Sequence, residues 1–227
     1  YGSIEQASIN IRKFNWNKPY IVSEWGVNGP FEAKKTTWNA KIEPPNGFKA
    51  SQRQRRYKQL IEKDSELCLG SYCFLWGQKQ ESTATWHGMF LSNGSPTEAV
   101  DVMHYCWKKQ WPESRAPSIK NILLNNTNWK ENHEVNPNEN AELILEYKKY
   151  NNLEVEVNFY LYPESFSKKI GGDKQKTPDE IPLEIINQNK LGLTFLTPKK
   201  KGAYRIFAII KNQKGQSSVA NIPFLVK

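Results

Sequence analysis

Residues 153–161 read LEVEVNFYL, and this short stretch indicates how the second half of the chain folds. Apolar side chains occupy every second position, and polar side chains lie between them. A period of two is typical of a β-strand that buries one face and exposes the other. The stretch therefore predicts a strand of an antiparallel sheet with one face in a hydrophobic core.

The same alternation recurs on both sides of this stretch. Strands are predicted at 119–124, 141–147, 153–161, 181–186, 191–196, 203–211 and 218–226, with clusters of Asn, Gly, Lys and Pro between them. About seven short strands in such an arrangement are typical of a β-sandwich. The segment Gly202-Ala203-Tyr204 resembles the tyrosine corner of immunoglobulin-like sandwiches. The sequence predicts an Ig-like β-sandwich over 116–227. Because this part has no evident aromatic stripe, we interpret it as a spacer or interaction domain.

A different pattern precedes Pro117, where seven of the eight tryptophans lie. Segments 19–25 (PYIVSEW) and 69–76 (LGSYCFLW) are mostly apolar, which is typical of parallel strands buried on both faces. Helices are predicted at 49–64 and after Pro96, so strand and helix alternate. The sequence predicts an α/β domain of parallel βα units at 1–115, which ends in the Pro-containing segment 111–117.

Composition argues against several functional classes. The net charge is +9, but the basic residues are spread over both halves, so no nucleic acid partner is predicted. Arg53, Arg55, Arg56 and Lys58 fall in a predicted helix and indicate a solvated face, with a functional anion site as the alternative. No run approaches the roughly 18 apolar residues of a membrane span. Three cysteines and three scattered histidines have no metal-binding spacing, so neither a metal nor a cofactor is predicted.

Polar and aromatic side chains gather where the two predicted parallel strands end. Ligands of α/β folds bind beyond the carboxyl ends of such strands, so these side chains are expected to meet. Indole faces stack on sugar rings, and amides and carboxylates bind hydroxyl groups, so the set is typical of a carbohydrate site. The candidate substrate-binding residues are Trp25, Asn28, Trp76, Gln78, Gln80, Glu81 and Trp86. Glu24 is the candidate glycosidase nucleophile, and a structural ion pair is the alternative.

Three segments resemble a known family. KPYIVSEWG at 18–26 resembles the seventh strand of the (β/α)8-barrel glycoside hydrolases of clan A, and GSYCFLWGQKQ at 70–80 resembles the eighth. WHGMFLSNGSPTEA at 86–99 resembles the close of such a barrel. The resemblance implies the C-terminal portion of a TIM barrel, with Glu24 as the nucleophile of a retaining enzyme and Trp76 as the floor of a sugar subsite.

The resemblance also implies what this stretch does not contain. A whole barrel needs roughly 250 residues, so the acid/base glutamate is expected outside this chain, which alone would be inactive. A missing N-terminal barrel half or a partner chain would complete the fold. The expected substrate is a β-linked glycan, and the expected location is outside the cell or in the cell envelope. Glu81 is an alternative second carboxyl group, and a non-catalytic glycan-binding or envelope-interaction protein is the alternative function.

Overall fold

The structure is a computed structural model that describes residues 5–167, 169 and 173–227. The first part contains three α-helices, a 3₁₀ helix and two strands. They are α1 (Ala7–Lys13), β1 (Tyr20–Trp25), α2 (Asn46–Leu60), the 3₁₀ helix (Glu62–Asp64), β2 (Cys68–Cys73) and α3 (Glu98–Lys108). No helix in the described part of the chain is long and apolar enough to cross a membrane.

The second part consists of strands alone. They are β3 (Ser118–Leu124), β4 (Thr127–Asn128), β5 (Glu134–Val135), β6 (Asn140–Lys148), β7 (Val155–Pro163), β8 (Glu184–Asn189), β9 (Gly192–Leu196), β10 (Gly202–Asn212) and β11 (Ser217–Val226). One sheet has the order β5-β11-β10-β7, and the other has the order β4-β3-β6-β9-β8. Each predicted strand position in this part overlaps a strand of the structure.

The two sheets enclose one hydrophobic core. The alternating apolar residues of both sheets point into it, and Leu143, Phe195, Ile206 and Phe224 are almost fully buried there. The strand pairings are antiparallel, apart from a short parallel pairing of β5 with β11. The alternation of apolar and polar residues fixes the register of the strands, because a shift of the pairing by one residue would turn the apolar side chains toward solvent.

The prediction of a TIM-barrel portion in residues 1–115 is wrong. The chain is 36% strand and 17% helix, and its sheets are mostly antiparallel. The described residues contain no repeated parallel βα units of a TIM barrel. Among the described residues, β1 and β2 form a parallel pair joined through α2, and no further strand is paired with either. An apolar run such as 69–76 indicates a strand, but it does not indicate how many other strands pair with that strand.

Two arginines of α2 hold the segments that follow β1 and β2. Arg53 and Arg56 are almost fully buried, so the prediction of a wholly solvated basic face is wrong for them. Arg53 Nη2 donates to the carbonyl of His87 at 2.7 Å, and Arg56 Nη1 donates to the carbonyl of Gly26 at 2.5 Å. The two guanidinium groups therefore donate to backbone carbonyl oxygens in irregular segments, where no sheet supplies a hydrogen-bond partner.

A buried ion pair joins the first part to the sandwich. Lys49 Nζ lies 2.5 Å from Glu43 Oε1, and both side chains are at most 3% exposed. Asn221 of β11 donates to Glu43 Oε2 at 2.7 Å, and Thr83 donates to the same oxygen at 2.6 Å. Burial acts to raise the pKa of Glu43, but Lys49 and these donors outweigh it and hold that pKa below its usual value.

Breaking this ion pair is predicted to destabilise the protein strongly. Glu43→Gln leaves the Lys49 ammonium buried without its counter-ion, which costs roughly 3–5 kcal/mol of unfolding free energy. Lys49→Met leaves the Glu43 carboxylate buried without its counter-ion. The double variant should lose clearly less unfolding free energy than the sum of the losses in the two single variants. Urea denaturation measures all three. Additive losses would show that the two charges do not depend on each other.

The control for this cycle is the exposed pair between Lys190 and Glu154. Both side chains are more than half exposed, so solvent screens their attraction. Lys190→Gln should leave the urea midpoint unchanged.

Candidate functional site

Glu24 and Trp76 lie at the surface. The Glu24 side chain is exposed at the end of β1, and no described residue forms a hydrogen bond or ion pair with its carboxylate. Trp76 is 55% exposed and contacts the rings of Phe90 and Trp107, with centroid distances of 5.3 and 5.8 Å. Trp76 thus belongs to an exposed aromatic cluster that it forms with Phe90 and Trp107.

Three other candidate residues make contacts within the protein. Trp25 is fully buried, with its ring 6.0 Å from that of Tyr57. Trp86 is 1% exposed and donates from Nε1 to the carbonyl of Asn28 at 2.9 Å. The Asn28 side chain in turn accepts hydrogen bonds from Gln52 and Arg56. In this structure their contacts are with the protein itself.

Glu81 is buried beside two basic side chains. Its Oε2 lies 3.0 Å from Lys79 Nζ and 3.8 Å from His87 Nε2. Burial, together with the charges of Arg53 and Lys49, lowers the pKa of His87 to about 3. His87 is therefore neutral at physiological pH, and Glu81 is paired with Lys79.

Gln78 and Gln80 line a cleft of about 380 Å³ between residues 78–92 and the β5-β11-β10-β7 sheet. We call it the glutamine cleft. Gln80 Oε1 accepts a hydrogen bond from Thr177 Oγ1 at 3.4 Å, and Gln175 Oε1 accepts one from the backbone N–H of Ser82 at 2.9 Å. These bonds tie the segment after β2 to the chain that leads into β8.

The opposite wall of the glutamine cleft is aromatic. Tyr160 and Tyr162 of β7 and Phe207 of β10 line it. Phe207 is paired with Tyr160 in the register, and its ring meets that of Tyr162 edge-on at 5.5 Å. Burial and the neighbouring carboxylate of Glu180 raise the pKa of Tyr162 to about 12, so this hydroxyl keeps its proton. The wall offers apolar ring surface and the hydroxyl of Tyr160, whereas the hydroxyl of Tyr162 donates to Glu180 Oε2 at 3.3 Å.

The lining of the glutamine cleft carries no free charge. Arg205 is the charged residue among its described lining, and this side chain is 3% exposed. Arg205 Nε and Nη2 donate to the two carboxylate oxygens of Glu164, each at 3.0 Å, and Nη2 also donates to the carbonyl of Lys41. No described carboxylate lines the cleft. The arrangement suits an uncharged ligand with both apolar faces and hydroxyl groups.

The aromatic wall was missed by the sequence analysis, which interpreted the sandwich as a spacer. A signal was available, because Asn158, Tyr160 and Tyr162 occupy the outward positions of the LEVEVNFYL strand and its continuation. Two tyrosines at successive outward positions place large aromatic side chains on an exposed face, which is typical of a binding surface. Phe207 joins these tyrosines because its strand, β10, is paired with β7. The sequence alone does not reveal this pairing.

Comparisons with known proteins assign no family. No protein-family model and no curated protein matches the chain. Among solved structures, the chain is similar to a DUF4784 family protein from Bacteroides caccae ATCC 43185, with 14% identity and a TM-score of 0.26. The match covers 48% of this chain and 24% of that one, so it spans about a quarter of that protein's length.

Metal chemistry has no visible site in the described residues. No group of three His, Cys, Asp or Glu side chains among residues 5–167, 169 and 173–227 could hold a metal ion.

His87 is predicted to make stability depend on pH. Its folded pKa of about 3 lies below its ordinary value of 6.5, so the unfolded chain binds more protons between these pH values. This contribution is complete above pH 6.5 and is lost as the pH falls toward 3. Asp101, whose pKa burial raises to about 6, has the opposite slope.

The test therefore compares His87→Gln with the unaltered protein, because Asp101 contributes to both. The stability difference should favour the unaltered protein most at pH 7 and shrink by roughly 2–4 kcal/mol toward pH 4. Urea denaturation at each pH measures it. A difference that does not vary with pH would refute the assignment of a neutral, buried His87.

Proposed function

We propose that this protein binds a neutral, β-linked oligosaccharide in the glutamine cleft. The observation that carries the proposal is the opposition of an aromatic wall to a wall of amide and hydroxyl groups. Sugar rings have apolar C–H faces that pack on aromatic rings, while their hydroxyl groups need donors and acceptors around the ring edge. The glutamine cleft supplies both on facing surfaces.

The size and charge of the glutamine cleft support the same ligand class. A volume of about 380 Å³ is within the range of sites for small ligands and suits one or two sugar rings. Arg205 is neutralised by Glu164, so an anionic sugar gains no counter-charge. Gln78 is exposed, and its Nε2 donates to the carbonyl of Ala84 at 3.3 Å, so its Oε1 and its second N–H are the groups that would meet a bound hydroxyl group.

Binding has more support in this geometry than hydrolysis. Glycoside hydrolysis uses two carboxyl groups placed on either side of the glycosidic bond. No described carboxylate lines the glutamine cleft, and Glu81 is paired with Lys79. The role of Glu24 as a nucleophile stays a prediction, which rests on its position at the end of β1 and on the resemblance of residues 18–26.

Truncation of the aromatic wall is predicted to weaken glycan binding. Isothermal titration with neutral β-linked gluco-, manno-, galacto- and xylo-hexasaccharides should find at least one ligand. For that ligand, Tyr162→Ala and Phe207→Ala should each raise Kd roughly tenfold, because each removes a ring from the contact surface. Gln78→Ala should raise Kd by roughly threefold to tenfold, since it removes hydrogen bonds without altering the sheet.

Trp76→Ala and Glu24→Gln are the matched controls. Neither residue lines the glutamine cleft, so both variants should bind within twofold of the unaltered protein. Binding lost in Trp76→Ala and kept in Phe207→Ala would move the site to the exposed aromatic cluster and contradict the proposal. Absence of binding to every hexasaccharide at millimolar concentration would also contradict it.

The hydrolytic hypothesis has a separate readout. Incubation of the same hexasaccharides with the protein, followed by measurement of reducing ends, tests for cleavage. We expect no increase in reducing ends. Cleavage that Glu24→Gln abolishes would instead support the nucleophilic role of Glu24.

A further inference from the structure

A second cleft lies on another side of the junction between the first part and the sandwich. It has a volume of about 380 Å³ and is formed by residues 27–34, the start of α2 and the segment after β4. Its apolar lining includes Ile42, Phe48, Trp86 and Trp129. Phe48 is 48% exposed, and its ring lies 6.1 Å from that of Trp129 in an edge-on arrangement. We call it the tryptophan cleft.

The uncharged polar side chains that line the tryptophan cleft are bonded to one another. Gln52 Nε2 donates to Asn28 Oδ1 at 3.1 Å, and the backbone N–H of Asn28 donates to Gln52 Oε1 at 3.3 Å. The indole N–H of Trp86 is bonded to the Asn28 carbonyl. A bound molecule would therefore meet few unused donors or acceptors here, which disfavours a ligand rich in hydroxyl groups.

Two lysines supply charge beside these apolar walls. Lys34 and Lys130 both line the tryptophan cleft, and both side chains are exposed. No described carboxylate forms an ion pair with either ammonium, whereas Lys49 is held by Glu43. Lys130 Nζ lies 5.4 Å from the centre of the Trp129 ring, so one charge is positioned directly over the aromatic lining.

The carboxylate of Glu32 also lines the tryptophan cleft. Its Oε2 accepts a hydrogen bond from the backbone N–H of Gly29 at 2.9 Å, within its own turn. Lys34 and Lys130 together outweigh this single negative charge.

We propose that the tryptophan cleft binds a small aromatic carboxylate, independently of the glycan site. The ring of such a molecule would pack against Phe48, which is half exposed beside the buried Trp129, and its carboxylate would reach Lys34 and Lys130. A flat apolar body suits the walls, and a single negative charge suits the two ammonium groups. The volume accommodates a molecule of the size of cinnamate.

The test compares trans-cinnamate with the uncharged trans-cinnamamide. Isothermal titration, with tryptophan fluorescence as a second readout, measures both Kd values in low-salt buffer. We expect cinnamate to bind at least fivefold more tightly than the amide. The Lys34→Gln/Lys130→Gln variant should bind cinnamate roughly fivefold to tenfold more weakly and the amide unchanged, since partly exposed charge pairs have modest strength.

The matched control is Lys35→Gln, which removes an exposed charge that does not line the tryptophan cleft. This variant should bind cinnamate within twofold of the unaltered protein. Phe48→Ala should weaken the binding of both compounds by roughly fivefold or more, because it removes part of the ring surface.

Three results would overturn the proposal. They are absence of cinnamate binding at millimolar concentration, equal affinity for acid and amide, and equal loss in Lys35→Gln and the double variant. Since the lysines are exposed, their substitution does not threaten the fold, and circular dichroism checks that it is intact. The glycan titrations use a different cleft, so failure here leaves the glycan proposal standing.

Discussion

The carboxylate of Glu43 is the point on which the arrangement of this protein depends. It lies in the interior, and its oxygens bind an ammonium from α2, two hydroxyl groups from the segment after β2 and an amide from β11. These four donors come from three separate regions of the chain. Because an ionised carboxylate is very costly to bury without partners, the fold holds these regions together around it.

Both proposed ligand sites lie beside this centre. Thr83 and Thr85 bind Glu43 and line the glutamine cleft, while Lys49 binds Glu43 and lines the tryptophan cleft. A single buried cluster therefore separates two clefts of opposite character. The charged residue that lines the glutamine cleft, Arg205, is paired with Glu164. The tryptophan cleft has apolar walls, the carboxylate of Glu32 and the exposed ammonium groups of Lys34 and Lys130.

Arginine side chains support this centre at other points of the junction. Arg53 and Arg56 bind the backbone after β2 and β1, and Arg205 of β10 donates to the carbonyl of Lys41. At the far side, the guanidinium of Arg115 lies between the rings of Trp111 and Tyr150, 3.6 and 3.5 Å from their centres. Apart from the contact of Arg115 with Trp111, these contacts join residues at least 30 positions apart in sequence. A guanidinium suits such a role because it donates in several directions and also stacks on aromatic rings.

The sequence predicted local patterns well and their assembly poorly. Alternation in the LEVEVNFYL segment reports which side of a strand is buried, and this holds wherever the strand is placed. The apolar run at 69–76 reports a strand-like segment but not the number of its neighbours, so a barrel was inferred where the described residues before Pro117 form one parallel strand pair. Trp25 and Trp86 show the same limit, since an aromatic residue next to polar residues can be either a ligand platform or a buried anchor.

The candidate site was predictable to a similar extent. Gln78 and Gln80 were singled out from their position after an apolar strand, and they do line a cleft. Their aromatic partners, Tyr160, Tyr162 and Phe207, lie about 80 to 130 residues away in the sequence. Nothing local connects these two groups, because the buried Glu43 cluster and the pairing of β7 with β10 bring them together.

The measurement that tests the central claim most directly is a crystal structure of the protein with a bound hexasaccharide from the panel. We predict sugar density between the rings of Tyr162 and Phe207 and the amides of Gln78 and Gln80, with the Glu43 cluster unchanged. Sugar density on the ring of Trp76, with the glutamine cleft empty, would contradict the account.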